Sequence, residues 1–338
     1  MEKKTRLQEF EALRALAIIL LMVVHSEVLG LYVFGYHLGP SANYFSTFLL
    51  GCFFFLAGYF EEPTIQKYRG NYWSLIKSRF VRIYPPYWFA LFMFVFVLKF
   101  TLKKFDLWVY LLNLQFIFSP AFAKQLLTLW YISMFVAYYT IFAVLIFSTR
   151  SNIQLLAWSV IVFFAAYILH RMTKLLDPRF FQYFFVYLIG IYFSRIEQIR
   201  VRLLSLPFLY KALFALLGLF LFGLAKFEEF EMVNGLRIFA ADFYMLAWIL
   251  LWLSVFRTRI GSWRIWSLIS TASFFAYLYH RPFWDILLSQ TSLTDWRDQA
   301  LFRFLPGSII VLIVCYFLQI GYDRLLAVFR QKEVIDGK

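Results

Sequence analysis

Residues 10–27 read FEALRALAIILLMVVHSE. Glu11 and Arg14 open the stretch, an uninterrupted apolar run from Ala15 to Val24 fills its middle, and His25-Ser26-Glu27 closes it. A soluble helix is apolar along one stripe only, whereas a helix apolar on every side belongs in a large core or in hydrocarbon. The span, read here over residues 12–33, exceeds the roughly 7–15 apolar residues of a secretory leader, and no small-x-small cleavage site follows it. It is therefore read as a retained first membrane helix.

The rest of the chain supports that solvent. Of 338 residues, 62% are hydrophobic, 23% aromatic and 15% charged, with 44 Phe and a mean hydropathy of +0.71. A soluble chain carries about 45–50% apolar and about 25% charged residues, so this composition excludes an ordinary water-soluble globule and a disordered chain. The two cysteines, Cys52 and Cys315, lie in apolar runs and suggest neither a redox nor a metal role. The formal charge of +14 is a footprint that nucleic-acid binding and the positive-inside bias of membrane proteins share.

Apolar stretches long enough to cross about 30 Å of hydrocarbon as helix fall near residues 12–33, 44–60, 84–101, 129–148, 153–169, 180–194, 207–225, 236–256, 266–287 and 304–325. None alternates as a barrel strand would. The expectation is an all-α, polytopic bundle of about ten transmembrane helices, one integral-membrane domain over 1–338, with both termini and the tail 327–338 in the cytoplasm. This arrangement puts 20 of the 33 Lys and Arg on the N-terminal side and 12 on the other, with Arg14 inside the first span, as positive-inside topology requires. Counting Asp106 to Ser119 as an eleventh span gives 17 against 15 and fits worse. That segment is left as re-entrant or interfacial, and the charge is assigned to topology, with no nucleic-acid partner.

Ionisable groups within such spans are the informative ones, since each costs about 2.5–3.5 kcal/mol at a helix centre. Arg14 and His25 are eleven residues apart, which at about 100° per residue returns them to one face, roughly 16 Å apart along the axis. Glu11, three residues before Arg14, can pair with it. A cation near the cytoplasmic entrance and an imidazole at depth suit an anionic substrate reaching in from the cytosol. The histidine then serves as general base or as transient carrier of the group. Lys67, Arg69, Lys77, Arg79 and Arg82 precede Tyr84-Pro85-Pro86. Arg79 and Arg82, three apart on a short helix, make a phosphate clamp or a positive-inside anchor. Trp130 and Tyr131 begin a span where an aromatic belt or a sugar-stacking surface is expected, and His280 lies toward the outer end of residues 266–287.

In order, these motifs resemble acyltransferase family 3, the bacterial membrane O-acyltransferases that act on glycans. Glu11, Arg14 and His25 match the family's first-helix pattern. Phe54-Phe55-Leu56-Ala57-Gly58-Tyr59 resembles its FF-x-x-SG-[YF] element, with Ala57 for Ser, and Arg79-Phe80-Val81-Arg82-Ile83-Tyr84-Pro85 resembles R-x-x-R-[IL]-x-P. Trp130-Tyr131-Ile132 and Tyr277-Leu278-Tyr279-His280-Arg281-Pro282 match two further elements. Many members carry a Glu about five residues after that Trp, where this chain has Phe135, which places it nearer the stand-alone branch acting on enterobacterial common antigen and exopolysaccharides.

The resemblance implies an enzyme of the bacterial cytoplasmic membrane that moves an acyl group from acyl-CoA, expected to be acetyl-CoA, to a hydroxyl of an exported glycan or lipid-linked sugar. His25, Arg14 and Glu11 are the implied catalytic set. Arg14, Arg79 and Arg82 are implied for the donor phosphates, and Trp130, Tyr131 and His280 for the acceptor. No metal is expected. With no hydrolase-like domain expected after the last span, this domain or a separate extracytoplasmic partner completes transfer. A secondary transporter of a polysaccharide precursor or small anion is the rival class, and a scaffold a third that leaves the alignment of Arg14 with His25 unexplained.

Overall fold

The computed structural model describes residues 7–33, 36–68 and 71–335. Lys3, Lys4, Arg6, Arg69 and Lys338, which entered the charge count, lie outside them. The structure is 82% helical. In chain order the first elements are α1 (Gln8–His25), the short antiparallel strands β1 (Tyr32–Val33) and β2 (Tyr36–His37), α2 (Ala42–Lys67), α3 (Tyr72–Phe96), α4 (Lys104–Leu111) and α5 (Gln115–Phe118). There follow α6 (Trp130–Ser148), α7 (Asn152–Thr173), α8 (Arg179–Arg195), α9 (Glu197–Ser205), α10 (Phe208–Phe227) and α11 (Gly235–Phe256). The chain closes with α12 (Arg264–Leu288), α13 (Trp296–Phe302) and α14 (Ser308–Ile335).

Among the described residues, six helical stretches are long and apolar enough to cross a membrane, namely Gly39–Lys67, Trp130–Ser148, Asn152–Thr173, Phe208–Phe227, Gly235–Phe256 and Trp296–Phe329. They coincide with six of the ten expected spans, and the chain is a membrane protein. The other four expected spans are helices too, α1, α3, α8 and α12. Of these, α8 has 17 residues, and α1, α3 and α12 carry the ionisable groups that lower their hydropathy.

Two spans end differently from the expectation. Helix α1 stops at His25, well short of residue 33. Ser26 turns its hydroxyl back onto the Val23 carbonyl at 2.8 Å, and Glu27 adopts a left-handed backbone, φ 69°, which a right-handed helix cannot continue through. Helix α3 is one helix of 25 residues with Pro85 and Pro86 inside it, where a short helix carrying Arg79 and Arg82 and a span from residue 84 were expected. Pro85 removes the N–H that would bond the Val81 carbonyl four residues back. The Tyr322 hydroxyl donates to that carbonyl instead, so α14 repairs α3 and the helix runs on.

The chain divides into two compact units. The first comprises residues 1–46, 77–101 and 261–338. In it, α12 packs against both α1 and α14, with Ala12, Ala15, Ala17, Ile18 and Leu21 of α1 buried. Tyr279 ties α12 to α3 by donating to the Pro86 carbonyl at 2.9 Å and meeting Phe89 edge to face.

The second unit comprises residues 47–76 and 102–260. Its centre is aromatic, with Phe54, Tyr138, Phe142, Phe184 and Tyr187 in mutual ring contact. Helices α2 and α8 cross at two glycines. A Cβ on Gly58 would strike the Tyr187 carbonyl oxygen, and one on Gly190 would strike that of Phe55, the close backbone approach that small residues allow between membrane helices. Residues 106–119 fold as α4 and α5, about 12 and 6 Å long, each too short to cross a bilayer. Asp106 accepts from the backbone N–H groups of Lys103 and Lys124, which fixes this segment against the loop that follows.

Candidate active site

Helix α1 presents Glu11, Arg14 and His25 on one side, all three half-buried, while the residues around them form the core of the first unit. His25 is the last residue of α1, so it stands at the end of that helix. In α12, His280 is fully buried. Its Nε2 lies 2.9 Å from Nδ1 of His25, and the two rings are within 11° of parallel, with centroids 5.0 Å apart. Two histidines read separately in the sequence are thus a single hydrogen-bonded pair.

The proton positions follow from the partners. Nδ1 of His280 faces the carbonyls of Ala276 at 2.9 Å and Tyr277 at 3.0 Å. A carbonyl oxygen only accepts, so Nδ1 of His280 carries hydrogen, and in the neutral ring Nε2 is the acceptor. His25 therefore donates from Nδ1, and its own Nε2 keeps a lone pair. Trp284 packs edge-on against His280, ring centroids 5.1 Å apart, which restrains the imidazole further. Such an arrangement can take a proton at one defined nitrogen of His25.

A scan against family models matches residues 7–320 to an acyltransferase domain, acyltransferase family 3. The chain belongs to that family. It is an acyltransferase, and the family match spans both units, so one family domain includes the histidine pair and the aromatic unit alike. No curated protein and no solved structure matches the chain significantly.

The other expected site residues of this acyltransferase fall in two places. Arg79 and Arg82 lie on α3 in the first unit, Arg79 half-buried and Arg82 exposed. Val81 between them takes the Tyr322 hydroxyl. Trp130 and Tyr131 belong to the second unit and are 9% and 8% exposed. The Arg179 guanidinium lies 3.7 Å from the Trp130 ring centroid and binds Asp177 through Nε at 2.8 Å. Tyr131 packs on Phe54, centroids 4.8 Å apart. Ser133, one turn on, donates to the Asn113 carbonyl at 2.6 Å and accepts from the Phe116 N–H at 3.0 Å, so the start of α6 is stitched to α5 and to the turn before it.

Sequence reasoning missed several buried charges of this acyltransferase. Glu61 accepts from the Tyr187 hydroxyl at 2.6 Å, and Glu62 takes both its oxygens to Arg195 at 3.0 Å. Asp242 of α11 is 8% exposed, and its Oδ1 has no hydrogen-bond partner among the described residues. It lines a cavity of about 640 Å³ with Phe163, Tyr167, Phe185 and Phe239. A carboxylate inside an apolar run was the available signal. Both cysteines are free and buried, and among the described residues no three His, Cys, Asp or Glu converge as a metal site would need.

Proposed function

We propose that this acyltransferase moves an acetyl group from acetyl-CoA to a hydroxyl of an exported glycan, with His25 as the general base. The observation that carries the reading is the His25–His280 hydrogen bond, since it supports one nitrogen, Nε2 of His25, as the base. The acceptor hydroxyl would give its proton to that nitrogen while its oxygen attacks the thioester carbonyl. The carbon–sulfur bond then breaks, and the leaving thiolate takes the proton back, so acetyl-CoA and alcohol become ester and CoA.

Arg14, Arg79 and Arg82 would hold the donor's phosphates, where guanidinium forks give charge-assisted, bidentate bonds, and Glu11 would hold Arg14 in place. Both ring nitrogens of His280 are occupied, so its proposed role is to orient His25 in place of meeting the acceptor directly. Within the second unit, Trp130 and Tyr131 would offer aromatic faces for sugar rings. Ten spans, cytoplasmic termini and residence in the bacterial cytoplasmic membrane complete the reading, because the donor is cytoplasmic and the acceptor faces out.

The test is incubation of membranes containing the full chain with radiolabelled acetyl-CoA. Ester-linked label in glycan is expected with the unaltered chain and its loss in His25→Ala. Near-normal labelling by His25→Ala would overturn the assignment.

A further inference from the structure

We propose that Arg281, with Arg303 beside it, binds an anionic group of the acceptor, so that the acceptor is a carboxylate- or phosphate-bearing sugar. The proposal rests on the acyltransferase reading above and deepens it by naming the acceptor's chemical class.

Three observations meet at this end of α1. Arg281 follows His280 directly, so its backbone is one residue from the imidazole that holds His25. Its side chain is half-buried, it has no hydrogen bond or ion pair among the described residues, and its Nε is buried without a partner. Glu27, Tyr277 and Arg303 act on it electrostatically, and of these Glu27 and Arg303 are already joined, Arg303 Nη1 to Glu27 Oε2 at 2.7 Å. Glu27 is two residues beyond His25, and Arg303 opens the π-helical turn Arg303–Gly307 that leads into α14. Asp285, one turn after Arg281 on α12, is exposed and makes no ion pair with it among the described residues.

The cluster therefore holds two guanidinium groups against one carboxylate, beside the histidine pair. A guanidinium drawn partly out of water without its hydrogen bonds is costly, and an anion supplied by a ligand removes that cost through a bidentate fork. The donor is the wrong source for this anion. Its proposed clamp begins at Arg14, about 16 Å back along α1 from His25, whereas Arg281 and Glu27 stand at the histidine end, where the hydroxyl must arrive. A uronic acid carboxylate and the phosphate of a sugar phosphate share the chemistry that such a fork recognises.

Ligand-observed NMR on the full chain in a neutral detergent, with saturating CoA so that the donor clamp is filled, separates the sources. Glucuronic acid, glucose 1-phosphate and glucose are the probes. At least one anion is expected to bind tenfold or more tightly than glucose, and whichever binds tighter identifies the carboxylate or the phosphate as the source. R281Q should bring that ratio to within about twofold of one, and R281K, which keeps the charge and loses the fork, should leave an intermediate ratio. Equal binding of all three probes, or an anion preference unchanged in both variants, overturns the proposal. Binding needs no transfer, so label transfer from acetyl-CoA in the same preparation reports separately on the acyltransferase reading.

Discussion

The Tyr322 hydroxyl donates to the Val81 carbonyl, the acceptor that Pro85 leaves vacant one turn later in the same helix. The bond keeps α3 continuous through two prolines and so keeps Arg79 and Arg82 on one helical frame. Tyr322→Phe removes the hydroxyl that makes this bond and should cost about 0.5–1.5 kcal/mol, the net range for an intramolecular hydrogen bond. In a Pro85→Ala background, where an amide N–H returns to bond Val81, the same change should cost less than half as much. Thermal unfolding of the four proteins in detergent gives the coupling, and additive effects would rule the repair out.

The histidine pair makes a spectroscopic prediction. The chain has four His, so ring nitrogens in uniformly 15N-labelled protein can be assigned by single substitutions. His25 should appear as the Nδ1-protonated tautomer in the unaltered chain and lose that preference in His280→Leu. Activity should follow, with His25→Ala lowering kcat by about 10²–10⁴-fold. His280→Leu should lower kcat with little change in KM for acetyl-CoA. His280→Gln, which still offers an oxygen near the lost Nε2, should recover part of the activity.

Arg82→Lys keeps the charge but replaces a planar fork by a point charge. It should raise KM for acetyl-CoA several-fold and leave kcat nearly intact. Initial rates over a range of acetyl-CoA concentrations decide this, and an unchanged KM would remove Arg82 from the donor site.

At the crossing of α2 and α8, Gly58→Ala and Gly190→Ala each place a methyl group onto a backbone carbonyl of the other helix. Backbone cannot swing aside as a side chain can, so each should cost at least about 3 kcal/mol, the upper part of the range for overpacking. Size-exclusion profiles of the detergent-extracted variants should show aggregated or missing protein. By contrast, Gly235→Ala, whose added methyl meets nothing within 4 Å, should elute as the unaltered chain does.

Much of this was legible in the sequence, and the reasons for the misses are physical. Uninterrupted apolar runs such as Val160 to Ala166 announce helices in lipid because nothing else satisfies their backbone there. The end of α1 was not legible, since no glycine or proline marks Ser26-Glu27. The persistence of α3 through Pro85 was equally hidden, because the group that rescues it lies 241 residues away. Arg14 and His25 could be placed on one side of a helix by arithmetic alone. The meeting of His25 with His280 required the packing of α1 on α12, which no local pattern encodes. Glu62 was passed over because a carboxylate at the end of a span looks like an interfacial charge until Arg195 is seen on it.

The two histidines are separated by 255 positions in the chain, and the unit that holds them is assembled from its first, an early and its last segments. A ribosome has therefore made nearly all of the polypeptide before the imidazole that sets the tautomer of His25 exists. Until then the emerging protein has His25 without the ring that it hydrogen-bonds. On the proposed mechanism, a product terminated before residue 280 lacks the partner of His25 and would spend no acyl donor.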